Sequence, residues 1–236
     1  MTVDGPANGG EAPAGSRYEM KFLARPWHYD QLIAWLRLRP EGFRPTYPAR
    51  RVNNAYLDRG DADLYRDSVE GCSSRAKVRY RWYGDSALPD AGRLEIKLRR
   101  NQLGWKKVFD VHELDGTLDR WPDVRARIRD EVPPEGRIWL AECHRVLIVN
   151  RYRREYWESA DGRLRVTFDH ESSVFDQRFS SCVNRTRAAL IEPGVVFEVK
   201  CGTEQVEAAS RLVSSMPLTL RRNSKYCNAI EAVIQS

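Results

Sequence analysis

Three times in this 236-residue sequence a glutamate precedes a lysine by two positions within an otherwise apolar stretch: Glu19-Met20-Lys21, Glu95-Ile96-Lys97 and Glu198-Val199-Lys200. Residues i and i+2 of an extended chain share a face, so each repeat sets a carboxylate beside an ammonium on one surface. Arg79, Arg81, Arg153 and Arg165 are spaced in the same alternating way. Guanidinium and ammonium groups neutralise phosphate oxygens, and a carboxylate is the ligand a hard divalent cation prefers. Each glutamate also reads more simply, as the ion-pair partner of its neighbouring lysine. Lysine itself is scarce: of 39 basic residues 32 are Arg and seven are Lys. A GC-rich genome alone would write that bias, so the retained lysines carry more information than the arginine count.

Strands are needed to position these groups. Period-two alternation marks Arg17–Ala24, Lys77–Tyr83, Arg93–Arg99, Arg163–Asp169 and Val195–Cys201, each with an apolar face opposite a charged one. Further strands are expected at Val52–Leu57, Lys106–His112 and Arg145–Tyr156, about eight in all. Apolar spacing predicts helices at Tyr29–Leu38, Trp121–Glu131, Thr203–Ser215 (with Thr203 as N-cap) and Asn223–Ile234, and a short turn of helix at Asp63–Asp67. Residues 1–16 are Gly-, Ala- and Pro-rich without periodicity and read as a disordered tail, leaving residues 17–236 as one α+β domain.

The charged strand faces hold Arg, Lys and Glu but almost no Ser, Thr, Asn or Gln, the usual filling of a solvated sheet. Eight antiparallel strands suffice to close a barrel. From patterning alone an open antiparallel sheet whose charged face is simply wet is the plainer reading. The helices must cover apolar surface, however, so the expected fold is a closed eight-stranded antiparallel barrel, helices outside and charges lining the bore. Unpaired buried charges are costly; a bore rich in cations is tolerable if it is hydrated and matched by a polyanion carrying several phosphates.

Composition excludes other classes. No apolar run approaches the ~20 residues of a membrane span, mean hydropathy is −0.61, and the first residues lack the basic and apolar regions of a secretory signal. Five scattered cysteines without a CxxC pair argue against a disulfide framework or zinc site and for a cytoplasmic setting. His112, His144 and His170 lack metal-ligand spacing, and no P-loop, HExxH or GxSxG is present. The pI near 9.1 suggests nucleic acid, but basic residues alternating within strands do not interleave with exposed aromatics as a nucleic-acid surface requires.

The segments RYEMKFLA, NNAYLDRGDADLYRD, KVRYRWYG, RLEIKLRR, NRYRREYWESADGRLRVTFD, VFEVKCG and RRNSKYCNAI resemble, in order, the VTC domain. That is the polyphosphate-polymerase domain of the vacuolar transporter chaperone complex, in the triphosphate tunnel metalloenzyme superfamily. The resemblance implies a tunnel in which Mn²⁺ or Mg²⁺ orients ATP or another triphosphate and the γ-phosphoryl group passes to inorganic polyphosphate. It implies catalytic roles for Arg79, Arg81, Lys97, Arg153, Arg165 and Lys200, phosphate binding by Lys21, Arg222 and Lys225, and metal binding by Glu198 and Glu19. Arg222 stands where a second lysine is usual, and one of Lys106 and Lys107 is expected to face the tunnel.

Hydrolytic members of the superfamily open with E-x-E-x-K, whereas Arg17 holds the first position here; this tilts the reading from hydrolase toward polymerase or binder. The eukaryotic complex adds an inositol-phosphate sensor domain and membrane helices that this sequence lacks, so regulation and any coupling to translocation are expected either to come from elsewhere, such as a membrane-protein partner, or to be absent. A tripolyphosphatase or nucleoside triphosphatase on the same tunnel, and a non-catalytic polyphosphate or nucleotide sensor, remain the alternatives.

Overall fold

Every alternating segment forms a strand, most of them longer than the periodicity marks. The strands are β1 (Tyr18–Ala24), β2 (Arg44–Asp58), β3 (Ser74–Tyr83), β4 (Asp90–Arg100), β5 (Leu103–Asp115), β6 (Arg145–Glu158), β7 (Leu164–Asp176) and β8 (Val195–Cys201). The helices are α1 (Tyr29–Arg37), α2 (Asp63–Val69), α3 (Trp121–Glu131), α4 (Pro134–Glu142), α5 (Val206–Ser214) and α6 (Lys225–Gln235). The structure is a computed structural model that describes residues 18–101, 103–216 and 224–235. The tail expected at residues 1–16, Arg17 and Arg222 lie outside the described residues.

The strands form one antiparallel sheet in the order β1-β8-β7-β6-β2-β3-β4-β5. The expected closure into a barrel does not occur: among the described residues no backbone pairing joins β1 to β5. The sheet nevertheless curls far enough for Lys97 Nζ on β4 to reach Glu19 Oε2 on β1 at 3.3 Å. β1 and β4 therefore meet through side chains, without the ~4.8 Å strand spacing a backbone ladder needs. Alternation tells which face of each strand is apolar; it carries no information about register between the first and last strands, so closure was not readable from it.

The apolar faces lie outside, under helices. Val78, Tyr80, Trp82, Leu94, Ile96 and Leu98 pack with Trp121, Val124 and Ile128 of α3 and Leu140 of α4. Phe22, Val166, Phe168, Phe197 and Val199 pack with Leu32 and Leu36 of α1 and Ala209, Leu212 and Val213 of α5. One expectation fails locally, and one helix is unexpected. Thr203 begins a short 3₁₀ turn and caps nothing, since α5 starts at Val206 with no side-chain cap. The periodicity gave no sign of α4, which begins at a Pro-Pro step; Pro is tolerated in a first helical turn. Gly136 is also required there, because a Cβ on it would stand 2.9 Å from that of Val132.

The expectation that all helices pack outside also needs correcting. Tyr226 of α6 stacks on Tyr56 at 4.8 Å between centroids. Tyr56 alternates with Ala55 and Leu57, which belong to the outer core, so α6 brings its N-terminal residues against the concave face. A buried acceptor fixes this placement: the Asp58 carboxylate takes the Tyr226 hydroxyl and the backbone N–H groups of Leu64 and Tyr65.

Candidate functional site

Alternation along β3 turns Lys77, Arg79 and Arg81 to the concave face, opposite the buried Val78, Tyr80 and Trp82. Arg79 donates to Glu95 from Nε at 2.7 Å and approaches it with Nη2 at 2.5 Å. Arg81 Nη1 lies 3.8 Å and Lys106 Nζ 3.1 Å from the same carboxylate. Arg81 also donates to Asn54, which in turn donates to Asn150, tying β3, β2 and β6 together. Gly92 lets β4 approach at this point, since a Cβ there would collide with the Arg81 carbonyl at 2.0 Å. Burial opposes ionisation of Glu95, but Arg79, Arg81 and Lys106 hold its carboxyl well below the usual range. The question left open at residues 106 and 107 is answered by geometry: Lys106 joins the concave face, while Lys107 pairs with Glu135 of α4.

On β1 and β8 the register sets Glu19 opposite Lys200 and Lys21 opposite Glu198. Lys21 pairs with Glu19 and lies 3.5 Å from Glu198, Lys200 pairs with Glu198, and Lys97 completes the group on Glu19. Burial again works against the charges. Lys21, Lys200, Arg154 and Lys225 hold Glu198 well below the usual carboxylate range, and Lys21, Lys97 and Lys200 lower Glu19 against both burial and Glu198. Lys21, desolvated yet flanked by both carboxylates, is pushed up to about 12.

A third group joins β6, β7 and α6. Asp169, fully buried, accepts from Arg154 Nε and Nη2 at 2.6 and 2.7 Å and pairs with Lys225. Arg165 shares the Asp169 face of β7 and lies 3.4 Å from Glu158.

The concave face thus brings together Lys21, Arg79, Arg81, Lys97, Arg165, Lys200 and Lys225 from the expected set, with Glu19 and Glu198. It does not include Arg153. That residue is exposed and has the parity of Trp157, which packs under the outer helices; Arg154 turns inward in its place. Sequence reasoning also passed over Asp169 and did not assign Lys77 to the site. Lys77 donates to Ser224 at 3.0 Å and stands in register with Lys97, which is in register with Lys106, a row of three lysines across β3, β4 and β5. Burial, helped by Lys97, Lys21 and Arg75, brings Lys77 down to about 8.

Each buried carboxylate of this face serves at least two cations, so the cations are held in place and remain in excess. A polyanion fits such a surface. For a divalent cation, Glu198 and Glu19 share Lys21 and so lie close together. No group of three or more His, Cys, Asp or Glu suited to a metal occurs among the described residues. Two carboxylates, with other oxygens coming from water and phosphate, match how hard cations such as Mg²⁺ are bound. The residues present fit that group.

Two solved structures share the fold. A putative adenylate cyclase from Vibrio parahaemolyticus superposes with a TM-score of 0.50 at 9% identity, over 89% of this chain and 95% of the other. A putative adenylyl cyclase from Hippeastrum, described as having a dominant triphosphatase activity, superposes with a TM-score of 0.50 at 15% identity, over 89% and 93% of the two chains. At these identities the likeness shows the fold alone. No curated protein matches the chain. The family model of the VTC domain matches residues 16–234, nearly the whole sequence, and the chain belongs to the VTC domain family.

Proposed function

We propose that this protein is a polyphosphate polymerase that transfers the γ-phosphoryl group of ATP to a growing inorganic polyphosphate chain. The observation that carries the reading is the concave face itself, where cations from both ends of the sheet and from α6 converge around shared carboxylates in a VTC-family chain. In the transfer, a terminal phosphate oxygen of the acceptor bonds to the γ-phosphorus, the bridge to the β-phosphate breaks, and ADP leaves with those electrons. Such a reaction asks mainly for positioning and for neutralisation of charge spreading over the phosphoryl oxygens. Arg79, Arg81, Lys97, Arg165 and Lys200 would bind and align the phosphates, joined by Lys77, Lys106 and Arg154. Lys21 of β1 and Lys225 of α6 would hold phosphate beside them. Mg²⁺ or Mn²⁺, held by Glu198 and Glu19, would supply further neutralisation of the triphosphate when bound. The reading needs no membrane span within the chain: no helix among the described residues is long and apolar enough to cross a bilayer. A cytoplasmic protein with a membrane-bound partner is the setting we infer.

Incubation with ATP and Mn²⁺, followed by gel electrophoresis, tests the reaction. A ladder of polyphosphate is expected. Orthophosphate alone would replace the polymerase reading with hydrolysis, and tight triphosphate binding without any product would replace it with a sensor.

A further inference from the structure

The concave face continues beyond the cations into an aromatic rim. Residues 44–51 of β2 extend past the end of β3 and pair with β6 alone, which is itself paired with β7, so β2 is here an edge of the sheet. On that edge the Arg50 guanidinium lies 4.0 Å from the centre of the Tyr83 ring and 5.1 Å from that of Tyr156, and its Nε donates to the Tyr156 hydroxyl at 2.8 Å. The Tyr47 ring meets Tyr156 edge-on at 5.8 Å and keeps 65% of its surface exposed. No carboxylate pairs with Arg50 among the described residues, unlike the arginines deeper on the face.

The rim is aligned with the phosphate-binding groups. Arg50 is in register with Arg154, and Tyr83 continues the row of Arg79 and Arg81 on one face of β3. Tyr83 lies four residue steps beyond Arg79, about 13 Å, a span that the ribose and triphosphate of an extended nucleotide can bridge. Aromatic rings and a planar guanidinium are the groups on which nucleobases stack, and an arginine edge donates to the acceptor edge of a purine.

We propose that Tyr47, Arg50, Tyr83 and Tyr156 form a base-binding platform for the nucleoside triphosphate donor, favouring purines. The proposal rests on the triphosphate reading above and adds the part of the donor that the cations do not recognise. A purely structural clamp on the sheet edge would serve nucleotide and bare triphosphate alike, so the two ligands separate the cases.

Binding of the β,γ-imido analogue of ATP and of imidotriphosphate, which lacks a nucleoside, is measured by calorimetry for the wild type, Tyr47→Ala and Arg50→Gln, with melting curves confirming the fold. Each substitution is expected to weaken the ATP analogue about tenfold and to leave imidotriphosphate within twofold. Unchanged ATP-analogue binding, or equal weakening of both ligands, overturns the platform while leaving the triphosphate site standing. Failure of the wild type to bind either ligand overturns both readings together.

Discussion

Glu95 and Glu198 stand in the same Glu-X-Lys pattern, on the same concave face, with side-chain exposures of only 3% and 2%. Their surroundings differ. Glu95 has no ion pair with its own lysine, Lys97, which reaches across to Glu19 instead; its partners are two arginines and Lys106. Glu198 pairs with its own Lys200 and with Lys21, and has a second carboxylate, Glu19, beyond that shared lysine. A planar guanidinium fork fixes a carboxylate in one geometry, whereas an ammonium is a mobile point charge on a flexible stem. Glu95 is therefore built to hold arginines in place. Under the proposed function, the lysines of Glu198 would swing to phosphate while its oxygens turn to a cation.

Removing each carboxylate in turn tests that contrast. Glu95→Ala leaves Arg79 and Arg81 without their buried counter-charge and is expected to lower unfolding stability by about 3–5 kcal/mol, read from denaturant midpoints. Glu198→Gln keeps the volume, and its lysines are each roughly 30% exposed, so they can recover water. Its stability loss should be about 1 kcal/mol, while metal-dependent turnover falls about a hundredfold, nearly 3 kcal/mol of barrier. If the two variants lose stability equally, the distinction between a positioning carboxylate and an exchangeable one collapses.

The row of lysines sharpens the same comparison at its cationic end. Lys77 faces Lys97, Lys21 and Arg75, with Ser224 as its hydrogen-bond acceptor and Tyr226 and Cys227 beside it. Its pKa falls from the ordinary 10.5 to about 8. Because the folded value is depressed, the unfolded chain binds the extra proton between about pH 8 and 10.5, and stability gains from this group as pH rises through that window. A bound polyanion favours the ammonium, so above pH 8 binding must take up a proton. Triphosphate affinity should then fall by up to tenfold per pH unit above 8, and Lys77→Arg, charged throughout, should flatten that slope. A wild-type profile already flat from pH 7 to 9.5 would remove Lys77 from the phosphate-binding surface.

Much of this was legible in the sequence, for physical reasons that also mark the limit. Alternation on β1, β3, β4 and β8 is unambiguous because bulky apolar residues fill one face and charges the other; Lys21, Arg79, Arg81, Lys97 and Glu198 follow from it. On β6 the segment Arg151–Trp157 places arginine or tyrosine on both faces, and local contrast disappears. The deciding signal was Trp157, a buried core residue four positions from Arg153; four is an even step, so Arg153 shares its outward face and Arg154 does not. Closure of the sheet and the approach of α6 to the concave face depend on contacts between segments far apart in the chain. No local pattern encodes them, although the buried Asp58 that receives Tyr226 lies 168 residues before it.

The outward face of β6 supplies the weakest expected effect and, for that reason, the sharpest control. Arg153 is exposed and makes no ion pair among the described residues, lying near Tyr29 on the side that α1 covers. A concave face that works through its geometry, and not through the overall positive charge of the molecule, should be indifferent to losing this cation. Arg153→Ala is expected to change stability by no more than about 0.5 kcal/mol and to leave triphosphate affinity at physiological salt within twofold, since a charge beyond a Debye length of ~8 Å is largely screened. A loss comparable to that of a concave-face arginine would mean that long-range charge governs binding, and the comparison between Glu95 and Glu198 would lose its force.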